Sequence, residues 1–269
     1  MFNLTKQKLI RLIFYWVVLL PGIPFVLVSI GITSYVYWPR DFSAVSELSV
    51  APDTEYITLS AHGVKDSPAS WSDELQQLMA IKPYAQLGKI AQQNHSIDWQ
   101  RFSNNVFICS VSGKRIGIEI GERLAKQANL NAIHAIGHSC GSFVVLGICE
   151  GAKSVNPQIV VQTTYLDPVS VYSGFFWDYG LEHFGSCADF SDNYIDTRDT
   201  IPGSNQPLTH AYTFDVTKRQ TKADAEFPPH AWPPQFYLNA YKAGNVPIFY
   251  KGDPAVLNQF KKGDSEVLK

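Results

Sequence analysis

The segment Gly137–Gly141 has the sequence GHSCG and lies between two apolar segments of different character. The pattern of residues 132–136 predicts a β-strand, and that of residues 140–150 predicts an apolar helix. A serine at so sharp a strand-to-helix turn takes a strained conformation, and the residues two positions away must be very small. Glycine fills both positions. The pattern therefore predicts a turn that lifts the Ser139 hydroxyl clear of a sheet, the plainer alternative being a turn whose serine only caps the helix.

Strand and helix patterns alternate along the chain from residue 55 onward. Alternation of this kind predicts the α/β class, with a mainly parallel central sheet that helices cover on both faces. The tail from Asp253 on is polar and predicts no element. The predicted strands are 56–61, 106–111, 132–136, 159–166, 193–196 and 211–216, and the predicted helices are 71–80, 114–129, 140–150 and 233–241.

An uncharged apolar run of 27 residues, Leu12–Trp38, follows the basic N-terminus. About 20 helical residues cross a bilayer, so the run predicts a transmembrane helix. It is longer than the core of a typical signal peptide and lacks a clean cleavage site before Pro39, which favours an uncleaved anchor. The alternatives are a cleaved signal peptide and a buried helix of a soluble core. Pro21, Gly22 and Pro24 would kink this helix or divide it.

The basic residues give the orientation of the chain. Lys6, Lys8 and Arg11 precede the apolar run, against Arg40 after it, which places the N-terminus in the cytoplasm. We therefore predict a single-pass membrane protein whose α/β domain lies outside the cytoplasm, or a secreted protein if the segment is cleaved. The predicted division is an anchor at 1–38, a linker rich in Pro, Ser and Asp at 39–54, and a catalytic α/β domain at 55–269.

The composition excludes several classes of protein. Charged residues make up 17% of the chain and the net charge is −2, which excludes a disordered charged chain and predicts no nucleic-acid partner. The cysteines at 109, 140, 149 and 187 have no CxxC spacing, so we expect no structural zinc. Their state stays open between one disulfide and buried free thiols. We expect no cofactor and no catalytic metal.

Serine is a weak nucleophile, so Ser139 needs a histidine base and a carboxylate that holds the base. Asp167 directly follows the predicted strand 159–166, at the edge where a parallel sheet presents its chemistry. Its plainer alternative is a turn-forming Asp-Pro. We predict His230, in a Pro-rich loop before the last helix, as the base. The competing histidines are His183 and His210, and the competing acids are Asp189, Asp192 and Asp196.

Two backbone N–H groups are the candidate donors of an oxyanion hole. Cys140 begins the helix after Ser139, and Val64 follows Gly63 directly after the first strand. Downstream of Asp167, residues 169–184 are rich in aromatic side chains. They form the candidate substrate pocket, with a buried plug as the alternative. The pocket residues that we predict are Tyr172, Phe175, Phe176 and Trp177.

Four blocks of the chain resemble the pancreatic-lipase-like branch of the α/β-hydrolases, in the same order: His62-Gly63, GHSCG at 137–141, Leu166-Asp167-Pro168, and His230 followed by a Tyr-bearing helix. The resemblance covers roughly residues 55–245. It implies the α/β-hydrolase fold and a triad of Ser139, Asp167 and His230, in agreement with the reasoning from the residues. That family can bind calcium near its acid. We favour solvated loop acids here, the candidate ligands being Asp189, Asp192, Asp196 and Asp199.

These features predict a membrane-anchored serine hydrolase that cleaves carboxylic esters of lipid-like type. Ser139 attacks the ester carbonyl, His230 takes the serine proton, and Asp167 orients His230. One alternative is an acyltransferase with the same triad, and another is a membrane-tethered scaffold on an inactive hydrolase fold. The expected partners are an ester or lipid substrate and the membrane itself.

Overall fold

The structure, a computed structural model, describes residues 6–250 and 254–269. Residues 1–5 of the predicted anchor and Asp253, where the predicted polar tail begins, lie outside the described residues. The chain divides into two compact units, one ending at Arg40 and one spanning Asp41–Lys269.

The N-terminal unit is helical from Lys6 to Tyr37. Helix α1 (Lys6–Ile13), a π-helical segment (Phe14–Leu19) and helix α2 (Leu20–Tyr37) follow one another without a break, and Pro24 lies inside α2. The apolar run is thus not divided into two pieces. The stretch has 32 residues and contains an 18-residue window with a mean hydropathy of 2.3. It is therefore long and apolar enough to cross a membrane, a property that a signal sequence shares.

The second unit is built on a seven-stranded sheet in the order β2-β1-β3-β4-β5-β6-β7, and each pair of neighbouring strands is parallel. Parallel neighbours need crossover connections, which the helices supply. The strands are β1 (Tyr56–Ala61), β2 (Gln92–Ile97), β3 (Ala132–His138), β4 (Val160–Leu166), β5 (Phe190–Ile195), β6 (Tyr212–Asp215) and β7 (Ser265–Val267).

Helices cover both faces of this sheet, and each face has its own apolar cluster. Helices α6 and α7 pack on one face with residues such as Ile133 and Val161, while α4 and α9 pack on the other with Tyr56 and Ile136. The predicted α/β class is therefore confirmed. The helices are α3 (Ser43–Ser46), α4 (Ser72–Ile81), α5 (Gln100–Ser103), α6 (Cys109–Leu124), α7 (Ser142–Val155), α8 (Tyr179–His183), α9 (Trp232–Ala243) and α10 (Pro254–Gln259).

Three stretches differ from the sequence prediction. Residues 106–111 were expected as a strand, but they lead into α6, which begins at Cys109. The second strand is instead Gln92–Ile97, a mostly polar, half-buried edge strand without an apolar signature. The polar tail contains α10 and the edge strand β7, whose residues are exposed.

The segment 41–54, expected as part of a linker, belongs to the second unit and packs against the rest of it. Phe42 is buried and its ring lies 4.9 Å from that of Phe102. The Ser46 hydroxyl donates to a Glu119 carboxylate oxygen at 2.9 Å, and Leu48 packs against the apolar cluster on the α6 and α7 face of the sheet. A few apolar side chains spaced between polar ones are enough to attach this segment, which composition alone does not reveal.

Glycines allow α6 and α7 to approach backbone to backbone. A Cβ on Gly117 would lie 2.1 Å from the Val144 carbonyl oxygen, and one on Gly147 would lie 2.1 Å from the Lys114 carbonyl oxygen. No side chain fits at either position unless the helices separate. This contact fixes α6 against the helix that follows Ser139.

We expect Gly117→Ala to lower the free energy of unfolding by about 1–3 kcal/mol, because overpacking outweighs the better helix propensity of alanine. Urea denaturation of the detergent-solubilised chain measures the change. The control is Glu122→Ala, a half-buried position on the same helix, where we expect little change. Equal stability of Gly117→Ala and wild type would contradict the close helix contact.

Candidate active site

Ser139 lies at a sharp turn at the carboxyl end of β3. It begins a 3-10 turn, Ser139–Gly141, that leads into α7, and its φ of +54° is in the left-handed region. A Cβ on Gly137 would lie 2.6 Å from the Gly141 carbonyl oxygen, and one on Gly141 would lie 2.4 Å from the Ala61 carbonyl oxygen. The two glycines are therefore required by contact with backbone, as a sharp strand-to-helix turn around a serine demands.

Gly63 brings the loop after β1 against the same turn. A Cβ on Gly63 would lie 2.9 Å from the Ser139 Cβ and 3.4 Å from its Oγ. The absence of a side chain at this position lets the backbone of residues 63 and 64 lie next to the hydroxyl. Val64, one of the two predicted oxyanion donors, lines the same cavity as Ser139.

Asp167 is the first residue after β4 and is completely buried. Its N–H donates to the Tyr194 carbonyl at 2.8 Å, and its Oδ1 accepts the Asn205 backbone N–H at 3.1 Å. Its φ of +44° is in the left-handed region. Its Oδ2 lies 2.9 Å from Nδ1 of His230, so the structure brings these two predicted residues together.

His230 lies in a 3-10 turn, Pro229–Ala231, directly before α9. Carboxylates only accept hydrogen bonds, so Nδ1 of His230 carries the proton and Nε2 keeps a free lone pair. The ring of His138 lies 4.8 Å from that of His230, and its Nε2 donates to the His230 carbonyl oxygen at 2.9 Å. Burial, together with the charge of His230, lowers the pKa of His138 to about 3, so His138 is neutral.

A second carboxylate, Asp199, contacts the same nitrogen of His230. Its Oδ2 also lies 2.9 Å from Nδ1, and its side chain is 5% exposed. The sequence suggested Asp199 only as a calcium ligand, so this contact was missed. The available signal was its place just beyond the carboxyl end of β5, at the same edge as Asp167.

Burial and hydrogen bonding set the charges of this cluster. Burial raises the pKa of Asp167 to about 7, although the hydrogen bond from His230 opposes the rise. Burial also acts to raise the pKa of Asp199, but the Ser204 hydroxyl and the charge of His230 outweigh it, and the net pKa is lowered. Burial acts to lower the pKa of His230, but the hydrogen bonds and charges of the two carboxylates outweigh it, and the net pKa is raised.

Ser139 and His230 line one cavity of about 690 Å³, together with His138, Val64 and Cys140. Both predicted oxyanion donors are therefore at the cavity. The remaining wall is mostly apolar, which suits an acyl chain better than a polar substrate. The apolar wall residues are Val106, Phe107, Val169, Val171, Trp177, Ile201 and Pro202.

The four predicted pocket aromatics have different places. Trp177 lines the cavity and is 57% exposed. Phe175 and Phe176 are equally exposed but are not part of the cavity wall in the described residues. Tyr172 stacks on Tyr179, with ring centroids 4.5 Å apart, and packs against the core instead. Phe107 also lines the cavity. It was not predicted as a pocket residue because residues 106–111 were expected to form a strand.

The structure pairs all four cysteines, whose state the sequence left open. Cys109 bonds to Cys140 and Cys149 bonds to Cys187, with Cα–Cα distances of 6.3 Å and 6.1 Å. Because Cys109 and Cys140 also line the cavity, the first bond connects the start of α6 to the turn at Ser139.

The competing residues lie outside the cavity. His183 stacks on Tyr179 at 4.0 Å, and His210 precedes β6, at the opposite edge of the sheet from Ser139. Each competing acid has a partner elsewhere: Asp189 has Lys153, Asp192 has Thr164 and Asp196 has Arg198.

Asp167, Asp199 and His230 could also be considered as metal ligands, since their ligand atoms lie within 4.8 Å of one another. Calcium prefers six to eight oxygen ligands, however, and this group contains a histidine that both carboxylates already contact. The arrangement therefore fits a hydrogen-bonded acid–base cluster better than a calcium site.

Comparisons with known proteins give little beyond this geometry. No family model matches the chain, and no curated protein matches it in sequence. One similar solved structure is "The crystal structure of the putative cell surface hydrolase from Lactobacillus plantarum WCFS1". It is 10% identical, has a TM-score of 0.46, and is matched over 78% of this chain and 98% of its own.

We expect Gly63→Ala to slow covalent labelling of Ser139 by a fluorophosphonate at least about tenfold, which corresponds to about 1.4 kcal/mol of activation free energy. The new Cβ would displace the loop from the hydroxyl. Labelling rates followed by intact-protein mass spectrometry test this. Gly31→Ala makes the same change where a Cβ meets nothing within 4 Å, and it should label like wild type.

Proposed function

We propose that the protein is a serine hydrolase that cleaves carboxylic esters with lipid-like acyl chains. The observation that carries the proposal is the cavity shared by Ser139 and His230, with buried carboxylates on the far nitrogen of the imidazole. The strained turn holds the hydroxyl, and the Nε2 lone pair of His230 is the base. Metal-free acyl transfer needs these parts and a pair of oxyanion donors.

The proposed reaction has two steps. Ser139 Oγ attacks the ester carbonyl carbon while His230 takes the serine proton, and the N–H groups of Val64 and Cys140 stabilise the oxyanion. The alcohol leaves with the proton from His230, and an acyl-enzyme remains on Ser139. Water, deprotonated by His230, then attacks the acyl carbon. The bond from that carbon to Ser139 Oγ breaks, His230 returns the proton to Oγ, and the acid is released. Asp167 holds the imidazole in the required tautomer.

The lipid-like substrate class is supported by the cavity wall. Apolar side chains line most of it, and several of these are exposed, among them Phe107 at 51% and Trp177 at 57%. Burial of apolar surface is worth about 25 cal/mol per Å², so an acyl chain is stabilised by covering such a wall. The likeness to pancreatic-lipase-like enzymes remains part of this proposal.

We also propose that the α/β unit functions outside the cytoplasm, tethered by its N-terminal helix. The helical stretch from Lys6 to Tyr37 is long enough to span a bilayer, and its basic residues Lys6, Lys8 and Arg11 come before its apolar run. Two disulfides in the second unit agree, since disulfides persist in oxidising compartments. A cleaved signal followed by secretion is the other topology consistent with these features.

We expect Ser139→Ala and His230→Ala each to reduce the turnover of a p-nitrophenyl acyl ester by about 10⁶-fold, as for comparable triads. Ser70→Ala, an exposed serine at the same cavity, is the control and should retain activity. Full activity of Ser139→Ala would exclude the proposed nucleophile. Adding an alcohol acceptor and weighing the products separates hydrolysis from acyl transfer, and an inert wild type would favour a scaffold.

We expect Trp177→Ala to lower kcat/KM about tenfold for long-chain esters and little for acetyl esters, since each buried methylene is worth about 0.8 kcal/mol. The matched control is Phe175→Ala, an equally exposed aromatic outside the cavity wall. An acyl-length series for both variants makes the measurement. A loss that is the same for every chain length would argue against Trp177 as an acyl contact.

A further inference from the structure

The Nδ1 atom of His230 contacts Asp167 and Asp199 at the same distance, 2.9 Å. One N–H needs only one acceptor, and a single carboxylate suffices to orient a catalytic imidazole. Burying a second carboxylate is costly unless it is paired and hydrogen-bonded. Asp199 is nevertheless 5% exposed, and its Oδ2 contacts Nδ1 of His230 rather than solvent.

We propose that Asp199 is a second positioning residue for His230, which shares with Asp167 the holding and charge compensation of the imidazole. This inference rests on the proposed function, because His230 must act as a base for its positioning to matter. The base is then held by a carboxylate pair, and neither carboxylate alone determines its orientation.

One loop fixes both carboxylates. Asn205, with a φ of +57°, donates its backbone N–H to Asp167 at 3.1 Å and its side-chain amide to the Asp199 carbonyl oxygen. The Ser204 hydroxyl donates to the Asp199 carboxylate, and the Ile201 N–H donates to it at 3.2 Å. The loop between residues 199 and 205 therefore holds the pair in register with His230.

The same loop reaches the substrate cavity, because Ile201 and Pro202 form part of its wall. Contact of an acyl chain with these residues is thus only two or three positions from a carboxylate that holds the base. The loop that holds the carboxylate pair is therefore also part of the cavity wall.

Charge distinguishes the two members of the pair. Two neighbouring buried carboxylates are not both ionised without cost, and one of them takes up a proton more readily. Burial raises the pKa of Asp167 to about 7, while hydrogen bonds and the charge of His230 leave the pKa of Asp199 lowered. Asp199 is therefore the more readily ionised member of the pair. It compensates the imidazolium that forms when His230 takes the serine proton.

The decisive experiment compares Asp167→Asn, Asp199→Asn and the double variant in the full-length protein. We expect each single change to lower kcat about 10- to 100-fold with KM retained, and the double change to lower it about 10⁴-fold, the loss typical of a base without its acid. The control is Asp189→Asn, an aspartate paired with Lys153 away from His230. If Asp167 alone loses 10⁴-fold and Asp199→Asn matches the control, the proposal is overturned.

The pH profile separates positioning from a merely structural effect. The titratable groups that face His230 are Asp167 after β4, Asp199 after β5 and His138 at the end of β3. Loss of the Asp199 charge should move the acid limb of the kcat/KM profile to lower pH by about one unit or more. Asp199→Glu, which keeps the charge, should restore part of the shift. An unmoved acid limb in Asp199→Asn, with unchanged thermal unfolding, would refute the charge compensation.

Failure of the proposed function looks different from failure of this inference. If wild-type protein neither turns over esters nor reacts with a fluorophosphonate at Ser139, the hydrolase proposal is wrong. If wild type does both and Asp199→Asn behaves like Asp189→Asn, only the carboxylate pair is wrong.

Discussion

The close contact of three backbone segments around Ser139 is the constraint on which the candidate site depends. The end of β1, the end of β3 and the start of α7 meet where Gly63, Gly137 and Gly141 lack side chains. Each of these glycines would place a Cβ less than 3 Å from backbone or from Ser139 itself. The energy of this strained turn is offset by the buried strands on either side, which hold the segments together. Loss of any of the three contacts would move the Ser139 hydroxyl from its place in the cavity that it shares with His230.

A second close contact extends this constraint to the cavity wall. Because glycines allow α6 to lie directly on α7, the first residue of α6, Cys109, reaches Cys140, which directly follows Ser139. The loop just before Cys109 carries Phe107 into the wall. The packing of α6 on α7 therefore helps to place Phe107 in the cavity wall. The Cys109–Cys140 disulfide then links the start of α6 covalently to the turn at Ser139, at a place where the helix contact has already brought them together.

The bounds of secondary-structure elements are predicted best from the sequence where a strand is buried on both faces of the sheet. Strands β1, β3 and β4 are central and apolar, and the elements around Ser139, Asp167 and His230 were predicted close to their observed bounds. The edge strand Gln92–Ile97 was missed because a half-buried strand needs few apolar residues. Sequence also could not choose which acid beyond β5 reaches His230. That choice depends on the path of the loop to Asn205, whose positive φ is set by tertiary contacts.

The apolar wall and the charged cluster act on the same residue from opposite sides. His230 has a cavity of low polarity on one side and buried carboxylates on the other. Where the local dielectric is low, a charge at about 3 Å influences an imidazole more strongly than it would in water. In the proposed reaction, an acyl chain that fills the cavity would remove water and lower the dielectric further. The carboxylates would then stabilise the imidazolium most when substrate is bound, which would favour proton transfer from Ser139 in the complex over proton uptake by the free protein.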